Sequence, residues 1–190
     1  MLNDTQIYIV VDIETDGPVP GIYSMLSIGA VVSTSTEEVD SFYRKIAPLP
    51  GAQQYKETMD WWNMNPDIWE EATTDAEEAS VVMQDFCKWV NSFGKAPVFV
   101  ASPLTFDFGF VNWYIEKFAD TNPFMDYSDV QRTLDLASFT AGKFNLPLSH
   151  SRSVHLPEHL LAGMPEHSHK AIDDARGYGV ILRNILRTDV

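Results

Sequence analysis

The sequence predicts an α/β protein built on one mixed β-sheet with helices packed on its faces. Short apolar, β-branched segments alternate along the chain with longer segments of helical periodicity. No repeat, linker or low-complexity segment divides the 190 residues, and 45% of them are hydrophobic, which is enough for a sizeable core. We therefore expect a single domain that spans residues 1–190.

Three strands and one helix are predicted in the first half of the chain. Residues 6–13 are short, β-branched and almost all apolar, which is typical of a central strand buried on both faces. Residues 23–32 and 40–47 predict two further strands, and their short connections favour antiparallel neighbours. A Thr-Asp-Ala-Glu capping box opens a predicted helix over residues 74–92.

The second half predicts two strands and three helices around one long loop. In chain order these are a strand at 98–101, a helix at 106–119, a strand at 130–133, a helix at 134–142 and a helix at 168–187. Residues 143–168 contain three prolines and four histidines and predict a long loop. A loop of this length inside a domain is usually functional or mobile.

The composition limits which binding partners and which cellular compartment we expect for this protein. The chain has 13 Lys and Arg against 27 Asp and Glu, a net charge of −14, which argues against holding long nucleic acid mainly by counterion release. All five histidines lie in the last third, where we expect an anionic ligand to bind unless metal ions on carboxylates hold it. A single cysteine excludes an internal disulfide, and no segment resembles a membrane span or signal peptide. A soluble cytoplasmic protein with no membrane partner is expected, of an oligomeric state that the sequence leaves open.

Two acidic residues interrupt the most apolar strand. Asp12 and Glu14 are two positions apart, so strand alternation points both to the same face, where like charges repel each other. A hard divalent cation such as Mg²⁺ or Mn²⁺ would compensate them, because such ions prefer oxygen ligands. The alternative is a strand that simply ends in a polar turn, since Asp-Gly-Pro follows at residues 16–18.

Further acids lie on predicted inner helix faces. Asp107 shares a face with apolar residues such as Phe110, although the N-terminal helix dipole alone would also favour an acid there. In the last helix, winding at about 100° per residue places Asp174 on the apolar side and Asp173 on the polar side, as a partner of Arg176. Small residues recur on the apolar side: Ala171, Ala175 and Gly179. They would let the helix approach the sheet and bring its inner carboxylate near the strand acids.

His169 lies at the start of this helix, where an imidazole could accept a proton from water at neutral pH; the alternative is a surface histidine.

Taken in order, three motifs resemble the DEDD superfamily of 3′-to-5′ exonucleases in its histidine subclass, which includes polymerase proofreading exonucleases and oligoribonucleases. The motifs are Asp12-Ile13-Glu14-Thr15, Phe106-Asp107 and His169-Lys170-Ala171-Ile172-Asp173-Asp174. The resemblance covers nearly the whole chain.

The resemblance implies a ribonuclease-H-like fold and a 3′-to-5′ exonuclease that hydrolyses phosphodiester bonds at single-stranded 3′ ends and releases nucleoside monophosphates. It also implies two ions, Mg²⁺ or Mn²⁺, held by Asp12, Glu14, Asp107 and Asp174, with His169 as the general base. RNA versus DNA and the preferred length stay open. Residues 102–105 depart from the family's commoner polar run, which leaves contacts to the terminal nucleotide open.

Substrate contacts are predicted beside this site. Trp61 and Trp62 lie in an acidic connector, residues 53–73, where aromatic faces could stack on bases. Their alternative role is to cap the core. Thr15 and Asp16 follow the strand acids and are candidates, by position, to contact the terminal sugar.

The long loop offers further candidates. Four histidines there could suggest zinc, but without paired thiols they more readily line a flap beside the site. Three cations could meet phosphates: Lys143, Arg152 and Lys170. A second hypothesis for the whole protein is a catalytically silent binding or adaptor module that keeps the same fold.

Overall fold

The structure is a computed structural model that describes residues 6–94, 96–125 and 132–189. Its centre is a five-stranded sheet of order β3-β2-β1-β4-β5, so the predicted mixed sheet is confirmed. The strands are β1 (Tyr8–Thr15), β2 (Met25–Ser33), β3 (Glu38–Lys45), β4 (Val98–Ala101) and β5 (Thr133–Asp135).

β1 lies in the middle of the sheet, as its apolar sequence predicts. It pairs with β2 in antiparallel and with β4 in parallel orientation, and β2 pairs with β3 in antiparallel orientation. The strand predicted at 130–133 is observed as β5 at Thr133–Asp135, and residues 130 and 131 of that prediction lie outside the described ranges.

Helices cover both faces of the sheet. They are α1 (Lys56–Met64), α2 (Pro66–Thr73), α3 (Ala79–Asn91), α4 (Leu104–Phe118), α5 (Leu136–Phe144), α6 (Glu158–Leu161) and α7 (Ala171–Arg187). The predicted long loop lies between α5 and α7 and contains α6 and two short 3₁₀ turns. Among the helices described, none is long and apolar enough to span a bilayer.

The region before α3 differs from the prediction. The capping box at residues 74–77 does not open a helix, because the backbone of Glu77 forms hydrogen bonds with Lys45, the last residue of β3, and with Ala47, and α3 begins at Ala79. The connector at residues 53–73 folds into α1 and α2. Burial of their apolar residues against β2 stabilises them, which local sequence propensity does not reveal.

The two faces of β1 have different neighbours. Its odd-numbered residues from 9 to 13 pack with α3 and α4 in the larger core cluster. Val10 packs instead with α7 on the opposite face. Because side chains alternate along a strand, Asp12 and Glu14 follow Val10 onto the face that α7 covers.

α7 crosses β2 very closely at Gly29. A Cβ atom on Gly29 would lie 2.3 Å from the backbone carbonyl carbon of Ala171 and 2.3 Å from the nitrogen of Ile172. Ala171 and Ala175 are fully buried on the same helix face, so the predicted row of small residues does bring this helix against the sheet. The contact determines where the first turn of α7, with its two aspartates, meets the strands.

Gly29→Ala is expected to lower the free energy of unfolding by about 3 kcal/mol, because the added methyl group meets backbone atoms that cannot rotate away. Urea unfolding of the purified variant measures this loss. Gly142→Ala in α5 is the matched control, since nothing lies within 4 Å of its added methyl position. The control should be unchanged or gain about 0.5–1 kcal/mol, and equal losses for the two variants would contradict the close crossing.

Candidate active site

Three carboxylates meet at the carboxyl end of β1. Strand alternation places Asp12 and Glu14 on the face covered by α7, and the first turn of α7 brings Asp174 to them. One carboxylate oxygen of each residue lies within 4.8 Å of those of the other two. The structure therefore brings together two sequence motifs that are more than 150 residues apart.

Asp107 joins these carboxylates from α4. It lies in the first turn of the helix, directly after β4, and is only 4% exposed. Because β1 and β4 are parallel, the end of β1 and the start of α4 meet at the same edge of the sheet. The charge of Asp107 raises the pKa of both Asp12 and Glu14, so this fourth predicted acid lies near the three carboxylates, and together the four residues are called the carboxylate cluster.

The two neighbouring aspartates of α7 have opposite surroundings. Asp174 is 7% exposed and faces the cluster, whereas Asp173 is partly exposed. Asp173 accepts a hydrogen bond from Ser168 at 2.9 Å and pairs with Arg176 at 3.6 Å. The helical winding predicts this separation, including the arginine partner.

Three acids of the carboxylate cluster, Asp12, Glu14 and Asp107, have no basic partner among the described residues. Burial raises the pKa of Asp12 well above its usual range, and the charges of Asp107 and Glu14 raise it further. Burial, Asp174 and Asp107 together raise the pKa of Glu14 to about 8. Burial also raises the pKa of Asp107 to about 7, although backbone hydrogen bonds lower it. Among the described residues, no Lys or Arg forms an ion pair with these three groups.

This donor set fits a hard divalent cation. Carboxylate oxygens are the ligands that Mg²⁺ and Mn²⁺ prefer, and four of them converge here. A bound cation would favour the ionised carboxylates, which their burial and mutual repulsion otherwise disfavour. The residues that would hold it are those predicted: Asp12, Glu14, Asp107 and Asp174.

Two histidines line the cluster next to α7. His169 lies just before the helix with a left-handed backbone (φ 55°), and its ring centroid is 5.0 Å from that of Trp61. His167 lies 4.2 Å from His169, centroid to centroid, and its Nδ1 contacts Asp174 Oδ1 at 2.6 Å. Burial lowers the pKa of His169, and the neighbouring His167 lowers it further, so the neutral form that can accept a proton is favoured near pH 7.

The importance of His167 was not predicted. It is one of four histidines in a loop, and a loop has no period from which the direction of a side chain can be inferred. Its position two residues before His169 was the one available signal. The histidines that suggested zinc, His155 and His159, are exposed, and no group of potential metal ligands within the described ranges includes either of them.

The two adjacent tryptophans have different environments. Trp62 is 2% exposed, packs 5.3 Å from Trp69, and donates from Nε1 to the carbonyl of Thr15 at 3.0 Å. It therefore caps a small core, which is the alternative that the sequence left open. Trp61 is half-buried and packs edge-on against His169, which places one aromatic face near the cluster.

Thr15, the last residue of β1, and Asp16, the first residue after it, are both buried. The Asp16 side chain accepts a hydrogen bond from the backbone of Ser24, and its own carbonyl accepts one from Tyr55. Asp16 is 1% exposed, so its carboxylate holds the loop in place and is not available to a sugar in this conformation. We do not retain it among the proposed substrate contacts.

Comparison with known protein families gives a match over almost the whole chain. The family model described as the 3'-5' exoribonuclease Rv2179c-like domain matches residues 7–186. The 3'-5' DNA exonuclease Cap18 of Escherichia coli is 34% identical over 130 residues. That match covers 65% of this chain and 65% of Cap18, so it spans slightly less than two thirds of the relative.

Solved structures with similar folds are nucleases. The nuclease domain of 3'hExo, a DEDDh family member bound to rAMP, superposes with a TM-score of 0.70 at 12% identity and covers 96% of this chain and 92% of that chain. The zinc-bound complex of E. coli ExoI with single-stranded DNA gives 0.69 at 15% identity, over 92% of this chain and 39% of that chain. At these identities the likeness concerns the fold, and it confirms the ribonuclease-H-like architecture.

Proposed function

Because the chain belongs to the 3'-5' exoribonuclease Rv2179c-like family, we propose that it is a metal-dependent 3′-to-5′ exonuclease. It hydrolyses the phosphodiester bond at the 3′ end of a single strand and releases nucleoside monophosphates. The family is named for RNA and the relative Cap18 for DNA. Both polymers are therefore candidate substrates.

One observation carries this proposal: the carboxylates of Asp12, Glu14 and Asp174 lie within 4.8 Å of one another beside His169, and the buried Asp107 of α4 is near enough to raise the pKa of both strand acids. Burying like charges without partners costs stability, so such a cluster marks a functional site more readily than a structural one. Its four negative charges equal the charge of two divalent cations, which supports a centre with two Mg²⁺ or Mn²⁺ ions. The ligands in this proposal are Asp12, Glu14, Asp107 and Asp174.

His169 acts as the general base in this proposal. Its neutral imidazole accepts a proton from the attacking water, and its contact with Trp61 limits the movement of the ring. The cations, when bound, supply Lewis-acid stabilisation of the negative charge that develops at the phosphate.

His167 positions Asp174. When Asp174 is ionised, as a metal ligand would be, its carboxylate can only accept hydrogen bonds, so in this proposal His167 Nδ1 carries the proton and donates it. Such a hydrogen bond fixes the direction in which the oxygens of a metal-binding carboxylate point. Mutation of a residue that donates a bond of this kind commonly weakens metal binding about 10–100-fold. In this proposal His167 supports the metal centre through Asp174.

Trp61 is the proposed base-stacking residue, and Trp62 fixes α1 beneath it. Stacking of a nucleobase on an aromatic face contributes about 1–3 kcal/mol, which helps an acidic protein hold a strand end with few basic contacts. The Thr15 carbonyl, which accepts the bond from Trp62, ties this helix to the end of β1.

The proposal predicts stepwise shortening of 5′-labelled single-stranded RNA, DNA or both from the 3′ end. The assay uses purified protein with Mg²⁺ or Mn²⁺, resolves products on a gel, and identifies the released monophosphate by chromatography. EDTA should stop the reaction and added Mn²⁺ should restore it. A circular single strand, which has no 3′ end, is the control and should stay intact.

If neither polymer is shortened under these conditions, the exonuclease proposal is wrong. The same strands then test the alternative of a catalytically silent module by fluorescence anisotropy, since such a module would bind them without cleavage. Cleavage of the circular strand would instead indicate an endonuclease.

A further inference from the structure

Arg152 has no acidic partner among the described residues of this strongly acidic protein. It lies in the loop before α6 and is exposed, and within the described ranges its guanidinium makes no hydrogen bond, ion pair or ring contact, although its charge partly offsets the rise that burial causes in the pKa of Tyr178. The other two cations predicted to meet phosphates are already engaged: Lys170 pairs with Glu71 at 3.0 Å, and Lys143 donates to the carbonyl of Ile185 at 2.7 Å. Within residues 6–94, 96–125 and 132–189, every other Lys and Arg side chain also has a partner.

Two cavities share Arg152 as part of their walls. The first cavity has a volume of about 370 Å³ and lies beside the carboxylate cluster. Its lining includes Arg152, Val154, Met164, His167, Asp174 and Tyr178. The second has a volume of about 450 Å³ and lies at the ends of β4 and β5; its lining includes Ser102, Leu104, Thr105, Ser138, Leu148 and Arg152. Both volumes fall within the range of about 300–1,000 Å³ that is usual for small-molecule sites.

The second cavity has the chemistry of a nucleoside site. Leu104 and Leu148 offer apolar surface to the face of a base, and the hydroxyls of Ser102 and Thr105 are available to polar edges. Asp135 also lines this cavity, and its carboxylate accepts hydrogen bonds from the backbone nitrogens of Leu104 and Ser138 at 2.9 and 2.7 Å, which hold its oxygens against the backbone and offset part of its charge.

We propose that Arg152 binds a backbone phosphate of the substrate strand and that the second cavity receives the nucleotide on the far side of that phosphate from the metal site. The inference rests on the proposed exonuclease function and adds a path: the strand leaves the carboxylate cluster, passes Arg152 and enters the second cavity. A guanidinium suits this position because it can donate two parallel hydrogen bonds to phosphate oxygens. The ligand class is a single strand at least two nucleotides long.

Steady-state kinetics on a labelled single strand over a range of NaCl concentrations tests the phosphate contact. Arg152→Ala is expected to raise KM about tenfold at low salt with little change in kcat, as loss of one charge-assisted contact would do. The slope of log KM against log salt should fall by about 0.7, the value for one phosphate contact on a single strand. Arg44→Ala is the matched control, because it removes the same charge where the guanidinium pairs with Glu77.

A strand with a single neutral methylphosphonate linkage locates the contact. The linkage is moved one position at a time along the strand. At the upstream position that Arg152 contacts, the neutral linkage leaves no charge for the arginine to bind, so the wild-type enzyme and Arg152→Ala should have the same KM there. Ser138→Leu fills the second cavity and should raise KM severalfold on strands that reach it. Equal KM and salt slopes for Arg152→Ala and Arg44→Ala would overturn the phosphate contact, and an unchanged KM for Ser138→Leu would overturn the path.

Failure of the proposed function can be told apart from failure of this inference. If the wild-type protein shortens neither polymer, the dissociation constants of the same strands are measured by fluorescence anisotropy for the wild type, Arg152→Ala and Arg44→Ala. Weaker binding by Arg152→Ala alone supports the contact. Equal binding by all three, or no binding by the wild type, overturns it.

Discussion

Asp174→Ala is expected to abolish exonuclease activity, with a fall in kcat/KM of about 10³-fold or more, whereas Asp173→Ala retains most of it. Asp174 is buried in the carboxylate cluster, while Asp173 pairs with Arg176 at the surface of the same helix turn. The two substitutions remove the same charge from adjacent positions, so a difference between them reports geometry rather than net charge. Kinetics on a labelled single strand measures both.

Calorimetric titration with Mn²⁺ gives a readout that does not depend on turnover. Asp174→Ala should weaken Mn²⁺ binding strongly, since it removes a proposed ligand, and Asp173→Ala should leave it unchanged. Equal losses in both variants would mean that α7 is rotated relative to the orientation described here.

His169→Ala is expected to lower kcat by about 10²–10⁴-fold while Mn²⁺ affinity stays close to that of the wild type. The imidazole is proposed to accept a proton and is not among the proposed ligands, so its loss slows turnover without emptying the metal site. At saturating Mn²⁺, which keeps the ligand carboxylates ionised, the acidic limb of the pH profile of kcat, where this base becomes protonated, should disappear in the variant. Burial lowers the pKa of His169, so in the wild type that limb should lie below the usual range of a histidine.

His167→Ala is the matched control, because it removes the neighbouring imidazole. Its main effect should be weaker Mn²⁺ binding, by about tenfold, since the hydrogen bond to Asp174 is lost. His167→Asn keeps a donor near Nδ1 and should restore part of this affinity. A larger loss of kcat in His167→Ala than in His169→Ala, with Mn²⁺ affinity intact, would exchange the roles of the two histidines.

The carboxylates were predictable from the sequence because each lies in a regular element. A period of two residues places Asp12 and Glu14 on one face of β1, and a period of 3.6 residues separates Asp174 from Asp173. These periods follow from backbone geometry, which is the same in every strand and helix. Asp107 was predictable for the same reason, from the apolar face of α4.

Residues whose surroundings depend on packing between elements were not predictable in this way. Trp61 and Trp62 are adjacent, yet one borders the site and the other is in a core, because the orientation of α1 depends on its packing against β2. The capping-box motif at residues 74–77 was wrong as a helix start for a related reason. Tertiary hydrogen bonds of Glu77 with the segment after β3 outweigh a local capping preference.

The loop between α5 and α7 shows most clearly the difference between what local sequence reveals and what packing decides. His167, Arg152 and Lys170 were all visible as chemically capable residues, but nothing local distinguishes a histidine that contacts Asp174 from an exposed one, or a free cation from a paired one. Periodicity was therefore enough to identify which acids face inward and what kind of ion they suit. Which histidine supports them, which tryptophan borders the site and which cation stays free depended on contacts between residues distant in the chain, because those contacts form only when the whole fold packs.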